Sequence, residues 1–264
     1  MAIIGAILGD IAGSRWEFGR PDNLDWKHIE LYTEENSFTD DTVLSIATKY
    51  AIENHVSFAH AYHIFGNQYP YAGYGGSFHT WLVDDELKPY NSFGNGSAMR
   101  VSYIIDMFDK NHKSGDVAIA AQDTAICTHN HPEGIKGAIV TAVVGWMAKC
   151  GASKKEIEEY VIEQYPSSDY LWSVEKTLDE IREDYKWDVT CQGSVPVAIR
   201  CFLESEDYES FLRNVLSLKC DTDTLCAIGG GIAEEFYHGT NFDNVFLLQK
   251  YLDTKLYNLI SDML

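Results

Sequence analysis

The sequence predicts an all-α fold, built as a single compact domain of orthogonally packed helices over residues 1–264. Three observations lead to this prediction. Most apolar segments repeat with the 3.6-residue period of an amphipathic helix. Only residues 29–33 and 187–194 resemble strands, and both do so weakly. The 264 residues, 45% of them hydrophobic, contain no fixed-period repeat, low-complexity tract or linker that would divide a core.

Composition and charge exclude several classes of partner. The chain has 20 basic and 40 acidic residues, a formal net charge of −20, which argues against a nucleic-acid or anionic-membrane surface. The apolar N-terminal segment lacks a basic start, and Asp10 interrupts it far short of the roughly 20 residues that span a bilayer. The six cysteines form no Cys-x-x-Cys pair, which favours reduced thiols. We therefore expect a soluble, cytoplasmic protein, and a monomer.

The first predicted element is a buried helix over residues 2–13. Gly5, Gly9 and Gly13 form a stripe of small residues at i, i+4 spacing, which lets a second helix approach closely. Glu17 follows just past the predicted helix end, beside two aromatic residues.

Most of the remaining chain also has helical periodicity. The run from Ile135 to Cys150 is apolar nearly all round, which is typical of a central, buried helix. The other predicted helices cover about residues 42–54, 57–67, 98–108, 116–127, 154–164, 173–185, 195–204 and 207–218, one beginning at the acidic motif 220–224, and a last one at 243–262.

Two glycine-rich segments, Tyr69–Ser77 and Asn91–Ser97, are predicted as loops. Glycine loops that lead into helix starts suit phosphate groups, because backbone N–H groups and the helix dipole converge there. Neither segment matches a P-loop or Rossmann fingerprint, so on pattern alone a simple turn is the stronger interpretation. His129 and His131 are two residues apart and would point apart on a helix, which favours structural roles over a zinc site.

Two acidic motifs far apart in the chain share a pattern: residues 38–42 (Phe-Thr-Asp-Asp-Thr) and residues 220–224 (Cys-Asp-Thr-Asp-Thr). Each leads into a helical stretch, and helix capping is the simple explanation for either motif alone. Capping needs one oxygen, however, whereas clustered carboxylates repel one another unless a cation lies between them. Oxygen ligands of this kind suit Mg²⁺, with Mn²⁺ or Ca²⁺ as alternatives. We hypothesise a metal site where the two helix starts meet in space.

Five sequence blocks, in order, resemble the ADP-ribosylglycohydrolases, the group that includes the dinitrogenase-reductase-activating glycohydrolase and the ADP-ribosyl-acceptor hydrolases. The blocks are Gly9-Asp10-x-x-Gly13-x-x-x-Glu17, Thr39-Asp40-Asp41-Thr42, Gly94-Asn95-Gly96-x-Ala98-Met99-Arg100, Thr128-His129 with Glu133-Gly134 and Gly137-Ala138, and Asp221-Thr222-Asp223-Thr224. The resemblance implies the all-helical fold of that family and two Mg²⁺ ions, or Mn²⁺ in their place, at the bottom of a cleft.

The resemblance also implies roles for individual residues. Six resemble the ligands of a binuclear metal site: Thr39, Asp40, Asp41, Asp221, Asp223 and Thr224. Glu17 resembles a mobile acid that acts in catalysis, with Asp41 and Asp223 positioning metal; the alternative is that Glu17 caps a helix or pairs with Arg15 or Arg20. The implied contacts to ADP-ribose are Ser92, Phe93, Gly94, Asn95 and Gly96, with the Phe93 ring facing adenine, and also Gly75, Gly76 and His129.

The function expected from this resemblance is a Mg²⁺-dependent hydrolase. It would cleave the glycosidic bond between ADP-ribose and an acceptor, which is a protein side chain such as Arg or Ser or a small molecule, and release ADP-ribose. An inverting displacement by water is favoured over a covalent intermediate on Glu17. Two alternatives remain open: an ADP-ribose-binding protein of the same fold without activity, and a metal-dependent nucleotide phosphohydrolase.

Overall fold

The computed structural model describes all 264 residues and confirms the all-α prediction. It has fifteen α-helices, one short 3-10 helix and no β-strand. The helices are α1 (Ala2–Ser14), α2 (Asp40–Glu53), α3 (Phe58–Gln68), α4 (Gly76–Leu82), α5 (Gly96–Met99), α6 (Ser102–Met107), α7 (Ser114–Ala125), α8 (Pro132–Lys149), α9 (Lys154–Gln164), α10 (Leu178–Asp184), α11 (Cys191–Leu203), α12 (Tyr208–Leu216), α13 (Thr222–Tyr237), α14 (Asn244–Tyr251) and α15 (Thr254–Ile260), followed by the 3-10 helix Ser261–Met263.

The centre of the fold is an antiparallel contact between α1 and α13. The predicted glycine stripe makes this contact: a Cβ atom would lie 2.4 Å from the Gly230 carbonyl oxygen if added to Gly5, and 2.2 Å from the Cys226 carbonyl oxygen if added to Gly9. A Cβ on Gly13 would lie 2.5 Å from the carbonyl oxygen of Thr222. Side chains larger than hydrogen would therefore force the two backbones apart.

This contact brings the end of α1 and the beginning of α13 to the same end of the molecule. The beginning of α2 joins them, because Asp10 of α1 accepts hydrogen bonds from the backbone N–H groups of Thr39 (2.9 Å) and Thr42 (3.1 Å). Asp10 thus caps α2 from a different helix. Three helix termini from distant parts of the chain converge at one point.

The hydrophobic core surrounds the α1–α13 pair. One cluster of 55 buried residues extends from Ile3 in α1 to Ile260 in α15, and a second of eight lies between α6, α7 and α8. Helix α8, predicted to be central, is buried along most of its length. None of the helices combines the length and the hydropathy needed to span a lipid bilayer. The division of the chain into a single domain stays a prediction.

Two segments predicted as single helices are each divided into shorter helices in the structure. Residues 98–108 form two short helices, α5 and α6, and the break accompanies the burial of Arg100, whose guanidinium donates to the Thr124 carbonyl oxygen at 3.0 Å. The segment 243–262 forms α14, α15 and the 3-10 helix, because Leu252 is extended and the next residue starts a new helix as its N-cap. Periodicity alone does not reveal such breaks.

Other boundaries differ for local reasons. The predicted helix 173–185 begins later, at Leu178, because Thr177 and Glu180 form a capping box there. The loop predicted to run to Ser77 ends at Gly75, since α4 begins at Gly76. The strand-like residues 187–194 contribute only an isolated bridge between Thr190 and Gly94, and residues 29–33 form no strand.

Adding one methyl group at Gly5 tests how closely α1 and α13 pack. We expect Gly5→Ala to lower the free energy of unfolding by about 1–3 kcal/mol, the range for overpacking a tight interior, because the new Cβ would meet Gly230 backbone. Gly115→Ala is the matched control, because a Cβ there meets nothing within 4 Å, and we expect little change or a gain of up to about 1 kcal/mol. Urea denaturation measures both; equal stability of the two variants would contradict the close approach.

Candidate active site

A cleft of about 490 Å³ opens where the three helix termini converge. Its floor consists of carboxylates from the loop after α1, from the start of α2 and from the start of α13. Its walls come from four segments, which contribute residues 73–78, residues 90, 92 and 94–96, residue 129, and residues 187 and 189. The sequence hypothesis that two distant helix starts meet in space therefore holds in the structure, with Thr224 Oγ1 only 3.3 Å from Asp41 Oδ2.

The carboxylates form two overlapping groups. Asp10, Asp41 and Asp223 have oxygen atoms within 4.8 Å of one another, and so do Glu17, Asp221 and Asp223. Asp223 belongs to both groups and thus lies between two candidate cation positions. Asp40 and Thr224 line the same part of the cleft.

Burial gives these carboxyl groups a strong preference for the neutral state when no cation is near. Desolvation raises the pKa values of Asp40, Asp41 and Asp223 well above the ordinary range, and neighbouring carboxylates add to the shift. Desolvation also raises the pKa of Asp10 to about 6, although four hydrogen bonds from Thr39 and Thr42 oppose the shift. Glu17 has a pKa of about 7, raised first by desolvation and then by the charge of Asp221.

These features fit a hard divalent cation. The donor set is all oxygen, and Asp41 Oδ1 is buried without any hydrogen-bond partner in the protein. Helix capping explains only part of the first motif, because Thr39 Oγ1 accepts from Asp41 N at 3.3 Å. It does not explain Asp221, which precedes α13 but makes no side-chain cap and instead accepts from Asn95 Nδ2 at 2.8 Å.

Thr39 is the predicted metal ligand that the structure places farthest from the cleft lumen. Its hydroxyl donates to Asp10 Oδ1 at 2.7 Å, and the residue does not line the cavity. The five other predicted ligands all line it. Glu17 lines the cavity as well, and neither arginine proposed as its partner pairs with it: Arg15 binds Glu35 and Arg20 donates to the Leu216 carbonyl oxygen.

The residues predicted to contact ADP-ribose line the cleft, with one exception. Seven of them line the cleft: Gly75, Gly76, Ser92, Gly94, Asn95, Gly96 and His129. Phe93 does not; its ring lies 5.1 Å from the ring of His131 and is 44% exposed. His129 and His131 form no common site, because His131 caps α8 by accepting from Glu133 N.

The sequence interpretation missed several residues at and beneath the cleft. Asp10 is fully buried and does not line the cavity, yet its carboxylate lies beside those of Asp41 and Asp223. It is not among the predicted ligands, although a carboxylate within an otherwise apolar helix is an available signal. The pair Phe18 and Trp187 forms the rim, with ring centroids 5.6 Å apart and an interplanar angle of 29°. Trp187 follows a segment with no motif, and only the folded chain brings it beside Phe18.

Comparisons with known proteins agree with this geometry. The family model of the ADP-ribosylglycohydrolases matches residues 1–233. Human ADP-ribosylhydrolase ARH3 is 27% identical over 89% of this chain and 84% of its own length. A putative ADP-ribosyl glycohydrolase of Acanthamoeba polyphaga mimivirus is 24% identical over 90% of this chain and 86% of its own length. A solved structure named as an ADP-ribosylglycohydrolase-related protein complex has a TM-score of 0.70 at 19% identity, covering 98% of this chain and 95% of that one.

The fold and the cleft thus define an all-helical protein with a buried acidic candidate site, and the family match gives it a more specific place. The chain belongs to the ADP-ribosylglycohydrolase family. The resemblance expected from the sequence motifs is therefore confirmed, and so is the expected fold. Family membership and the similarity to ARH3 support a hydrolase that acts on ADP-ribosyl groups.

The raised pKa values predict how stability depends on pH and on cations. Between the ordinary carboxyl pKa near 4 and the raised folded value, the native state binds more protons than the unfolded state, so stability falls as pH rises. We therefore expect the free energy of unfolding in EDTA to fall between about pH 5 and pH 8. Saturating Mg²⁺ or Mn²⁺ should raise it most at the upper end of this range, because cations replace the lost protons.

Two variants serve this measurement. Asp41→Asn should show a shallower fall in EDTA and a smaller gain from the cation. Asp123→Asn, which removes an exposed carboxylate of α7, should behave as the wild type does. Melting temperatures of the three proteins, each with and without cation across the pH range, decide the question; identical curves for Asp41→Asn and the wild type would contradict a buried cation site at this position.

Proposed function

We propose that the protein is a divalent-cation-dependent ADP-ribosyl-acceptor hydrolase, with Mg²⁺ as the expected ion and Mn²⁺ able to replace it. The observation that carries the proposal is the pair of carboxylate groups sharing Asp223 at the floor of the cleft. A glycosidic bond at ribose C1 breaks through an oxocarbenium-like state, which needs acid and base assistance at one end of the sugar. The carboxyl groups at the floor of the cleft could supply both the acid and the base, and the walls could contact the rest of the ligand.

Six carboxylates would share the two cations: Asp10, Glu17, Asp40, Asp41, Asp221 and Asp223. When bound, the cations would act as Lewis acids that orient ribose hydroxyls and increase the acidity of a water molecule. The chain itself contributes rigidity, since Asp41 and Asp223 lie in the first turns of α2 and α13. Asn95 holds Asp221 through its hydrogen bond, which links the floor to the glycine loop above it.

Glu17 is the residue suited to move a proton. Its carboxyl group lines the cleft beside Asp221 and Asp223, and desolvation raises its pKa to about 7 in the metal-free protein. It lies on the loop after α1, outside the regular helices, beside the exposed Phe18 at the cleft rim. In this proposal its carboxyl group would act on the glycosidic bond, while Asp41 and Asp223 stay fixed in their helices.

The glycine-rich part of the cleft wall, around Gly75, Gly76 and Gly96, suits the ADP-ribose diphosphate. The backbone N–H groups of these three glycines have no hydrogen-bond partner in the protein, whereas those of Ser92, Gly94 and Asn95 donate to other residues of the chain. No lysine lines the cleft, so glycine-loop binding of the phosphates is favoured over lysine binding. The acceptor would leave through the open rim near Phe18 and Trp187. We propose N- or O-linked ADP-ribose as substrate, attached to Arg, Ser or a small molecule.

The first test of this function separates it from its alternatives. We expect the protein with Mg²⁺ to release ADP-ribose from at least one substrate in a panel of Arg-linked, Ser-linked and small-molecule-linked ADP-ribose, and EDTA to abolish the release. A phosphohydrolase would instead produce AMP and ribose phosphate, which chromatography distinguishes. Binding of ADP-ribose without any product would identify a binding protein, and full turnover without a divalent cation would refute the metal-dependent mechanism.

The second test concerns Glu17. Glu17→Gln keeps the shape of the side chain and removes its proton exchange, so we expect turnover to fall at least about 100-fold, the lower end for general acid–base groups. ADP-ribose should still bind, because most of its contacts lie on the glycine-loop wall. Glu35→Gln is the control: it removes an exposed carboxylate, the partner of Arg15, and should leave turnover unchanged. Normal turnover of Glu17→Gln would exclude Glu17 from the reaction.

The third test locates adenine. If the ring of Phe93 stacks on the base, Phe93→Ala should weaken ADP-ribose binding by about 1–3 kcal/mol and leave cation binding unchanged. Trp187→Ala is the matched comparison, because Trp187 is equally exposed, at 44%, but lies at the cleft rim beside Phe18. Calorimetric titration of both variants gives the answer: a loss confined to Trp187→Ala would place adenine at the rim and remove Phe93 from the ligand site.

A further inference from the structure

A buried chain of hydrogen bonds connects Arg100 to His129 behind the glycine-loop wall. The Arg100 guanidinium is completely buried, and its Nη2 donates to Thr128 Oγ1 at 2.8 Å. Thr128 Oγ1 in turn lies 2.8 Å from His129 Nδ1. The carbonyl oxygen of Thr128 also accepts from the backbone N–H groups of Tyr90 and Ser92, so the same residue supports the glycine loop.

The direction of these hydrogen bonds determines which nitrogen of the His129 ring carries the proton. A guanidinium only donates, so Thr128 Oγ1 must be an acceptor toward Arg100. The threonine hydroxyl hydrogen then has His129 Nδ1 as its one strong acceptor, since its only other contact is the Cys127 sulfur, a weak acceptor. The opposite arrangement, with Nδ1 protonated, would leave the buried hydroxyl hydrogen with the sulfur alone, and a poorly satisfied buried polar group is costly. His129 therefore carries its proton on Nε2.

The charge of Arg100 strengthens this preference. No carboxylate pairs with Arg100; its guanidinium carbon lies 4.0 Å from the centroid of the Tyr62 ring, and Nη2 also donates to the Thr124 carbonyl oxygen. A second positive charge on the adjacent buried imidazole would be strongly disfavoured. Burial and then Arg100 both lower the pKa of His129 well below its ordinary value, so the ring stays neutral.

The protonated nitrogen faces the glycine loop. A Cβ atom would lie 3.3 Å from His129 Nε2 if added to Gly96, and 3.7 Å from it if added to Gly94. No protein atom accepts a hydrogen bond from Nε2, although His129 is only 4% exposed and lines the cleft. The Nε2–H group of His129 is therefore free to donate a hydrogen bond to a ligand bound beside the glycine loop.

We propose that Arg100 and Thr128 are positioning residues that fix His129 as the neutral Nε2–H tautomer, so that its ring donates a hydrogen bond to a phosphate oxygen held by the loop Ser92–Gly96. The assignment of phosphate to this loop rests on the proposed function. The tautomer does not, because it follows from the hydrogen bonds of the ligand-free protein.

The experiment uses the full chain and two kinds of readout. Long-range ¹H–¹⁵N spectra of protein labelled with ¹⁵N-histidine report the tautomer, and His129→Gln identifies the signal of His129. Calorimetry with ADP-ribose and steady-state kinetics report binding and turnover. The variants are Thr128→Val, which removes only the hydroxyl, and Thr128→Ser, which keeps it. Thr141→Val is the matched control, since Thr141 is equally buried and its hydroxyl has no partner.

We expect the wild-type spectrum to show the Nε2–H tautomer and Thr128→Val to show a mixture of tautomers. Thr128→Val should raise the Kd for ADP-ribose and KM about tenfold with kcat little changed, as expected for a contact kept throughout the reaction. Thr128→Ser should restore wild-type values, and Thr141→Val should not differ from the wild type. Arg100→Met, which removes both the donor and the charge, should give the same tautomer mixture as Thr128→Val.

Three results would overturn the proposal. The first is an Nδ1–H signal for His129 in the wild-type protein, which would overturn the proposal even if Thr128→Val failed to fold. Unchanged ADP-ribose affinity in Thr128→Val would do so as well. A Thr128→Ser variant as weak as Thr128→Val would show that packing, and not the hydroxyl, supports the site. Failure of the wild type to bind ADP-ribose would instead refute the proposed function, and the spectrum would still decide the tautomer.

Discussion

The backbone contact between α1 and α13 is the constraint on which the remaining structure depends. Gly5, Gly9 and Gly13 face carbonyl oxygens of α13 at distances that admit no side chain. This packing fixes both the separation of the two helices and their relative register. Because the helices are antiparallel, Asp10 and the loop carrying Glu17 lie at the same end as Asp223. Residues more than 200 positions apart in sequence thus meet within a few ångströms, as in the hydrogen bond from Thr222 Oγ1 to the Gly13 carbonyl oxygen at 3.1 Å.

The acidic floor built on this contact opposes folding unless a cation compensates it. Several buried carboxyl groups have raised pKa values, so their ionised forms are costly in the metal-free protein. The fold stabilises the carboxylate of Asp10 with four hydrogen bonds from the backbone N–H groups and hydroxyls of Thr39 and Thr42. Thr39 is also the N-cap residue of α2. Asp41 Oδ1 has no such donor in the protein. A site of this kind trades stability for function.

Local sequence patterns predicted most helices and the motifs of the candidate site, whereas helix breaks and the positions of loop side chains depended on tertiary packing. The glycine stripe predicted a close helix partner, because spacing on a helix fixes which side chains share a face. The two acidic motifs predicted a common cation site, because clustered carboxylates repel one another unless a cation lies between them; the structure brings the motifs together, and the cation stays a prediction. The motif blocks indicated the family. Periodicity could not predict the break at Arg100, where a buried contact with Thr124 interrupts an otherwise helical pattern. Nor could it place Phe93 outside the cleft or Trp187 at its rim, since both positions depend on how distant loops pack.

The division of the cleft between helices and loops has a chemical consequence. The residues proposed to hold cations lie mostly in the first turns of α2 and α13, or in α1 itself, where backbone hydrogen bonds and core packing restrict their motion. The residues at the rim, Phe18 and Trp187, lie on loops and are largely exposed. If the acceptor leaves through the rim, as proposed, a change of acceptor would need changes at the rim alone, whereas the proposed ribose and phosphate contacts are tied to the glycine contact at the centre of the fold. Glu17, on the loop that also carries Phe18, connects the two parts.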